Sequence, residues 1–469
     1  MVRVSLLRGV LVSVVMLIMT MPAFSSRASA DGGMFTYTDI YDQWGLAKED
    51  TQYGLIGYHD GYQRMVISIR INTGSLVQMD NAVWLFPVPS NPRNASIDLV
   101  DEISEIQGER LAKNAQDALT NDAMYLSATQ VYPLVFWFPI VMTSGYGNTL
   151  MSKDGYNSSE DGVEVTQSIA KFGMTTELIG TNSSSGLTTY LQAKGLDLPV
   201  NADPIIDEYV GKDYSFVASW ISNMTEFQSS APQEFRYPNS FYNLGVMIGF
   251  PTETIFYPLR LTSVYESEIV PMVVQVTGLV NPIESSSSFH GKGMTTDYKV
   301  ATSLRLQRNI ARIYDPHIKL TDTYVYIPAL KYTEIVINTT SSSFTDDLWI
   351  DPSPSLKARA LDLTTEHSWA VSIPIFILTS MLASLVSSVV VFRGFKPNVA
   401  MFAALGLFNL LTIVGVWAAA RWFEVDHRFV RNGPYPWEHA VASYLAAFTL
   451  LFMTFAIVGF GLFIGLLSV

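Results

Sequence analysis

Hydrophobic positions fall into three regimes along this chain. Val10 to Met21 is an apolar run behind Arg3 and Arg8, and from about residue 31 to 367 apolar residues alternate with polar ones in short, turn-punctuated bursts. From Ser368 the chain becomes continuously apolar. Ser368–Phe392 carries no charged side chain, and at about 1.5 Å rise per residue it is long enough to cross a hydrocarbon core of about 30 Å. Asn398–Ala420 and Ala440–Ser468 are two further uncharged runs. The pattern predicts an exported body on three C-terminal transmembrane α-helices. The N-terminal run, with Ala28-Ser29-Ala30 as a small-residue cleavage site, reads as a signal peptide over residues 1–30, cleaved after Ala30.

Within the body the apolar period is mostly two. Tyr53–Tyr58 and Tyr62–Asn72, joined by His59-Asp60-Gly61, predict a β-hairpin. In it Met65, Ile67, Ile69 and Ile71 oppose Arg64, Ser68 and Arg70. Ala82–Pro87 is apolar on both faces and predicts a central strand. Further strands are expected over Gly162–Gly180, Tyr214–Ser222, Leu244–Phe250, Glu253–Leu261, Ile269–Val280, Thr323–Pro328 and Lys331–Asn338. A helical period appears at Ile97, Val100, Ile103 and Ile106 behind an Asn94 or Ser96 cap. Helices are also expected over Glu109–Leu126, Gly186–Lys194 and Thr296–Tyr314, and from an Asp203 cap with Pro204 at the first helical position.

Ala123–Ser152 carries no charge, and Pro133 and Pro139 oppose a regular helix through it. It is read as a buried element of the body. An aromatic wedge in the membrane interface is the sharper alternative, and a full crossing comes third. The polar segment 152–162 marks an internal boundary between a first part, 31–151, and a second, 152–340. Residues 341–367 read as a polar stalk, and 368–469 as the anchor. The expected fold class is an α+β or mainly β extracytoplasmic body.

Composition narrows the partners. The chain of 469 residues is 49% hydrophobic but only 15% charged, and the apolar excess sits at its two ends. A formal charge of −13 excludes nucleic acid as a natural partner, because phosphate binding needs a basic field. With no cysteine, disulfides, thiolate metal sites and a Cys nucleophile are excluded. With the body outside, three helices would run out-to-in, in-to-out and out-to-in. The Arg393/Lys396 turn is then cytoplasmic, as the positive-inside tendency prefers. The outer loop Arg421–His439, with three arginines, pulls against that orientation.

Several short motifs occur in order: Gly32-Gly33-Met34-Phe35, Val83-Trp84-Leu85-Phe86-Pro87-Val88-Pro89, and Thr188-Thr189-Tyr190-Leu191 up to Gly195. They continue with Tyr209-Val210, Tyr214-Ser215-Phe216-Val217-Ala218 and Tyr257-Pro258-Leu259-Arg260-Leu261-Thr262. Together they span about Gly32 to Val280 and resemble an exported prokaryotic family catalogued as domain of unknown function twenty-three thirty. The resemblance implies an exported, often membrane-tethered module and brings no catalytic residues. Some members place Cys before the paired glycines. Asp31 stands there in this chain, so the C-terminal helices are left to do the tethering.

No phosphate loop, dinucleotide fingerprint, HExxH or nucleophile elbow occurs, so no catalytic residue and no cofactor is assigned. His59 and His317 read as turn residues, and His290 lies in a Ser/Gly stretch without ligand spacing. Glu424, Asp426, His427, Glu438 and His439 lie close together between or beside Trp422 and Trp437. An interfacial belt explains them. The sharper alternative is a site for a divalent cation or a proton sensor, although neither His-x-His nor His-x3-His spacing occurs. Asn94, Asn157, Asn182, Asn223 and Asn338 begin Asn-x-Ser/Thr triplets, possible glycosylation points on an exported surface. The crossings hold no central ionisable residue, against a transporter or channel. The expected role is binding, adhesion or envelope organisation at the cell membrane, through an envelope protein or glycan. The alternative is an envelope hydrolase with a carboxylate-based site.

Overall fold

The computed structural model describes residues 33–38, 43–46, 52–72, 83–101, 105–131, 164–196, 198, 201–230, 241–265, 269–283, 293–314, 324–391 and 437–468. The fold is mixed α+β, built on two stacked sheets. The first is antiparallel, in the order β2 (Gln43–Leu46), β1 (Gly33–Thr38), β5 (Val83–Val88), β10 (Ser215–Ile221), β9 (Met174–Gly180) and β8 (Glu164–Lys171). The second runs β6 (Ser96–Asp101), β11 (Phe241–Pro251), β4 (Tyr62–Asn72), β3 (Gln52–His59), β13 (Ile269–Thr277), β16 (Tyr324–Thr340), β15 (Met294–Gln307) and β7 (Glu109–Arg110). Among the described strands only β3 and β13 pair in parallel. A small third sheet joins β12 (Ile255–Tyr257), β17 (Leu348–Asp351) and β14 (Asn281–Pro282).

Alternation explains the stacking. Trp84, Phe86 and Val88 of β5, with Leu178 and Val217 beside them, face Ile56, Met65, Ile67, Ile248, Val274 and Ile335 of the larger sheet. Removing this apolar surface from water is the main stabilising term. Strands from before and after the 152–162 segment share both sheets, as two halves of the smaller (β2-β1-β5, then β10-β9-β8) and interleaved in the larger, so neither sheet is complete without both parts. The far face of the smaller sheet is covered by α2 (Ser184–Gln192) and α3 (Asp203–Asp207). Ser183 caps α2, its side chain accepting from the Gly186 amide. At α3 the N-cap is Ala202 rather than the expected Asp203. A further short helix, α4 (Met224–Ser230), puts Phe227 into the inter-sheet core.

The expected hairpin is present as β3–β4, with Asp60 and Gly61 both at positive φ. It is not half-buried, however: Val66 and Ser68 are as buried as Met65 and Ile67. The second face is covered by α5 (Arg308–Tyr314) and by the β15–β16 arm. Gly57 lets α5 come this close, because a Cβ there would sit 1.7 Å from the Ile313 carbonyl oxygen.

Two expected helices are strands. Residues 96–101 pair with β11, sending Ile97 and Leu99 into the inter-sheet core. Their sequence satisfies periods of both two and three, and a remote partner strand decided between them. Likewise 294–307 is β15, paired along β16, and only 308–314 is helical. The two strands expected at Thr323–Pro328 and Lys331–Asn338 are one, β16. Opposite Pro328, which offers no N–H, Ser303 turns to a φ of 62°.

Residues 341–367 are folded into the body rather than extended as a stalk. Phe344, Leu348 and Ile350 belong to the inter-sheet core, and α6 (Leu356–Glu366) follows, capped by Ser355. Two described helices are long and apolar enough to cross a membrane, α7 (Ser368–Val391) and α8 (Trp437–Ser468). The third expected crossing, Asn398–Ala420, lies outside the described residues. Between α7 and α8, Ser384 Oγ lies 2.7 Å from the Tyr444 hydroxyl and the Phe376 and Phe452 rings are 5.6 Å apart. Stepping back along α7 therefore steps forward along α8: the two helices run antiparallel. This departs from the expected alternation, in which the first and last helices are parallel.

Candidate functional site

Ala123–Ser152 begins on α1 (Leu111–Val131), which shares one apolar cluster with α6, α7 and α8 and with Tyr298 and Val300 of β15. Ser372 of α7 donates to Asp122 at 2.8 Å, and the Tyr125 and Trp369 rings meet edge to face at 5.6 Å. The reading of this stretch as a buried element of the body is thus corrected for its start: its apolar side serves the helix cluster. Residues 132–163 lie outside the described residues.

Side chains of the body fix this cluster in place. Gln275 on β13 grips the Ile106 main chain from both sides, accepting from its amide and donating to its carbonyl at 2.9 Å each. Tyr332 donates to the same carbonyl at 2.9 Å. Ile106 lies just before β7 and α1, so the start of α1 is clasped to the sheet. Lys331 on β16 forms ion pairs with Asp362 and Glu366 of α6, and these hold the Glu366 carboxyl below its ordinary range. Tyr298 and the α6 cap Ser355 lie 2.8 Å apart.

Hydrolysis by paired carboxylates needs two of them facing one gap. Among the described residues the four buried carboxylates take separate structural roles. Glu177 is held by Lys194 at 2.9 Å and by the Tyr190 hydroxyl at 2.7 Å. Glu334 is held by Lys299 and Gln275, and Asp122 by Ser372. Asp347 accepts from the Leu259 and Arg260 amides at 2.8 and 2.9 Å and from the Tyr209 hydroxyl at 2.9 Å. Burial pushes Asp347 up to about 6 against the pull of those three donors. Tyr209, Leu259 and Arg260 all belong to the short motifs quoted above, so part of that motif set converges on one buried carboxylate. Arg260 also pairs with Glu208 at 2.5 Å, tying the same loop to α3.

The arm offers a different chemistry. On β16, Val325 and Ile327 pack inward while Tyr324 and Tyr326 point outward, Tyr326 being 64% exposed. Arg305, directly across from Tyr326 on β15, lays its guanidinium 4.3 Å from the centre of the Tyr324 ring. Two outward tyrosines and a stacked arginine form a small flat face on the outermost layer of the body. Alternation over 324–327 carries the signal for it, but from sequence alone it points no further than a strand over Thr323–Pro328.

Among the described residues no three His, Asp or Glu side chains gather as metal ligands. Glu424, Asp426 and His427 lie outside the described residues, and Glu438 and His439 fall on the first turn of α8. His59, expected in the turn, is the last residue of β3, half-buried and paired with Tyr62, with Nε2 donating to the Tyr314 carbonyl oxygen at 2.9 Å. Asn94, Asn182, Asn223 and Asn338 are exposed, while Asn157 lies outside the described residues. No family model, no curated protein and no solved structure matches this chain.

Proposed function

We propose that this chain is a membrane-anchored binding module that presents an exported β-sandwich to an envelope glycan. The outward Tyr324/Tyr326/Arg305 face carries the reading. Exposed aromatic rings give sugar C–H faces an apolar surface at low entropic cost, and a guanidinium supplies donors for hydroxyl or carboxylate oxygens. The signal peptide with cleavage after Ala30, the extracytoplasmic placement of the body and the kinship with exported modules belong to the same proposal. A carboxylate-based hydrolase is the lesser reading, because each buried carboxylate described above already serves the fold.

Co-sedimentation of the detergent-solubilised full chain with purified envelope glycan tests it. Replacing Tyr324 and Tyr326 by Ala should cut the retained fraction by at least about tenfold, a loss of about 1.4 kcal/mol. The unfolding midpoint should stay put, since both side chains are exposed. Wild-type protein that ignores the glycan, or a variant that binds as well, would sink the proposal.

A further inference from the structure

The antiparallel contact between α7 and α8 fixes more than packing. Ser384 lies against Tyr444 and, eight residues back, Phe376 lies against Phe452, eight residues on. Lys331 and the Tyr298/Ser355 contact hold α6 to the body, so Ser368 is the body end of α7. Val391 is then the far end, α8 starts at that far end, and its last turns return towards the body. The two helices have 24 and 32 residues, about 36 and 48 Å at 1.5 Å per residue, so each is long enough for one full passage.

We infer that α7 and α8 are a transmembrane hairpin: the Ser468 end of α8 lies on the body's side of the membrane, and the segment joining the helices makes no net crossing. The inference rests on the membrane reading above. An independent observation agrees with it. Arg393, Lys396, Arg421, Arg428 and Arg431 all lie between the two helices, and no Lys or Arg follows Trp437. Under three alternating crossings, three of these five cations are stranded outside. In the hairpin all five share the face opposite an exported body, which is where basic residues concentrate. Glu424, Asp426 and His427 face the cytosol and not the outside.

The absence of cysteine makes the test clean. Ser185→Cys on the exposed body surface, Asn432→Cys between the helices and Ser468→Cys at the end of α8 are each made singly in the full chain. Intact cells are treated with a membrane-impermeant maleimide before and after permeabilisation. The expected result is labelling of the Ser185→Cys and Ser468→Cys variants in intact cells, with Asn432→Cys labelled only after permeabilisation. The hairpin stands whenever positions 185 and 468 share a side and 432 lies opposite. It is overturned if 432 shares a side with 185, or if 468 does not. Failure of the export reading is a separate outcome: the Ser185→Cys variant would need permeabilisation whatever the other two do.

Discussion

The sandwich and the helix cluster are built inside out relative to each other. In the sandwich the two sheets hide Trp84, Phe86, Ile248 and Phe256, and charge is paired, partly exposed in Arg93–Glu164 and Arg260–Glu208 and with buried carboxylates in Lys194–Glu177 and Lys299–Glu334. In the helix pair Leu378, Leu450, Ile457 and Leu462 point outward, while Ser372, Ser380, Ser384 and Ser387 are buried. Leu378 and Ile457 are 66% and 68% exposed, a waste of apolar surface in water and an ordinary arrangement in lipid. Under the membrane-anchored reading proposed above, one chain obeys two solvents. The change falls at His367, where α6 ends and α7 begins.

The largest expected effect challenges this contrast directly. Leu450→Arg and Ile457→Arg, both outward on α8, should each cost about 2.5–3.5 kcal/mol of insertion free energy near a bilayer centre. The double variant should shift from the carbonate-resistant membrane fraction to the soluble or degraded one. If the outward faces meet water instead, the double variant will be neutral or more soluble, and the contrast is gone.

The second effect belongs to the sandwich alone. Asp347 titrates at about 6 when folded against an ordinary 3.8, a difference worth roughly 3 kcal/mol. Because its folded value is raised, its contribution to stability is fully present below pH 3.8 and is lost as pH rises through about 6. Asp347→Asn keeps an acceptor for the Leu259 and Arg260 amides and removes the titration. Urea unfolding of the full chain in detergent should show wild-type stability falling relative to the variant between pH 4 and pH 7. Parallel curves would refute the assignment.

The smallest effect concerns the joint between the regions. Lys331→Ala removes both ion pairs to α6, but the lysine side chain is a third exposed, so about 0.5–1 kcal/mol is expected. The loss should shrink at high salt. A salt-independent loss would mean that packing, not charge, holds α6 to β16.

What could be read from the sequence was what neighbouring residues decide for themselves. Asp60-Gly61 makes its own turn, and β5 is apolar on every residue. What could not be read depended on partners far along the chain. Residues 96–101 became a strand because β11, some 145 residues later, was there to pair with them. Asp347 is an ordinary acid in the sequence, and only the convergence of Tyr209 with the Leu259 and Arg260 amides makes it unusual. Helix α1 was visible in outline, but nothing local announced that its apolar side faces α7. For the candidate face, strand alternation was legible. Which of its two sides the arm would bury was not.

The clasp of Gln275 on Ile106 has a mechanical consequence. It immobilises the chain just before α1, and Lys331 does the same for α6, so two separate struts leave the sandwich for the helix pair. A load applied at the tip of the arm cannot be dissipated by a swivelling tether. Under the membrane-anchored reading proposed above it reaches the bilayer as torque, and the height and facing of Tyr324 and Tyr326 above the surface are set by the architecture instead of by thermal wandering.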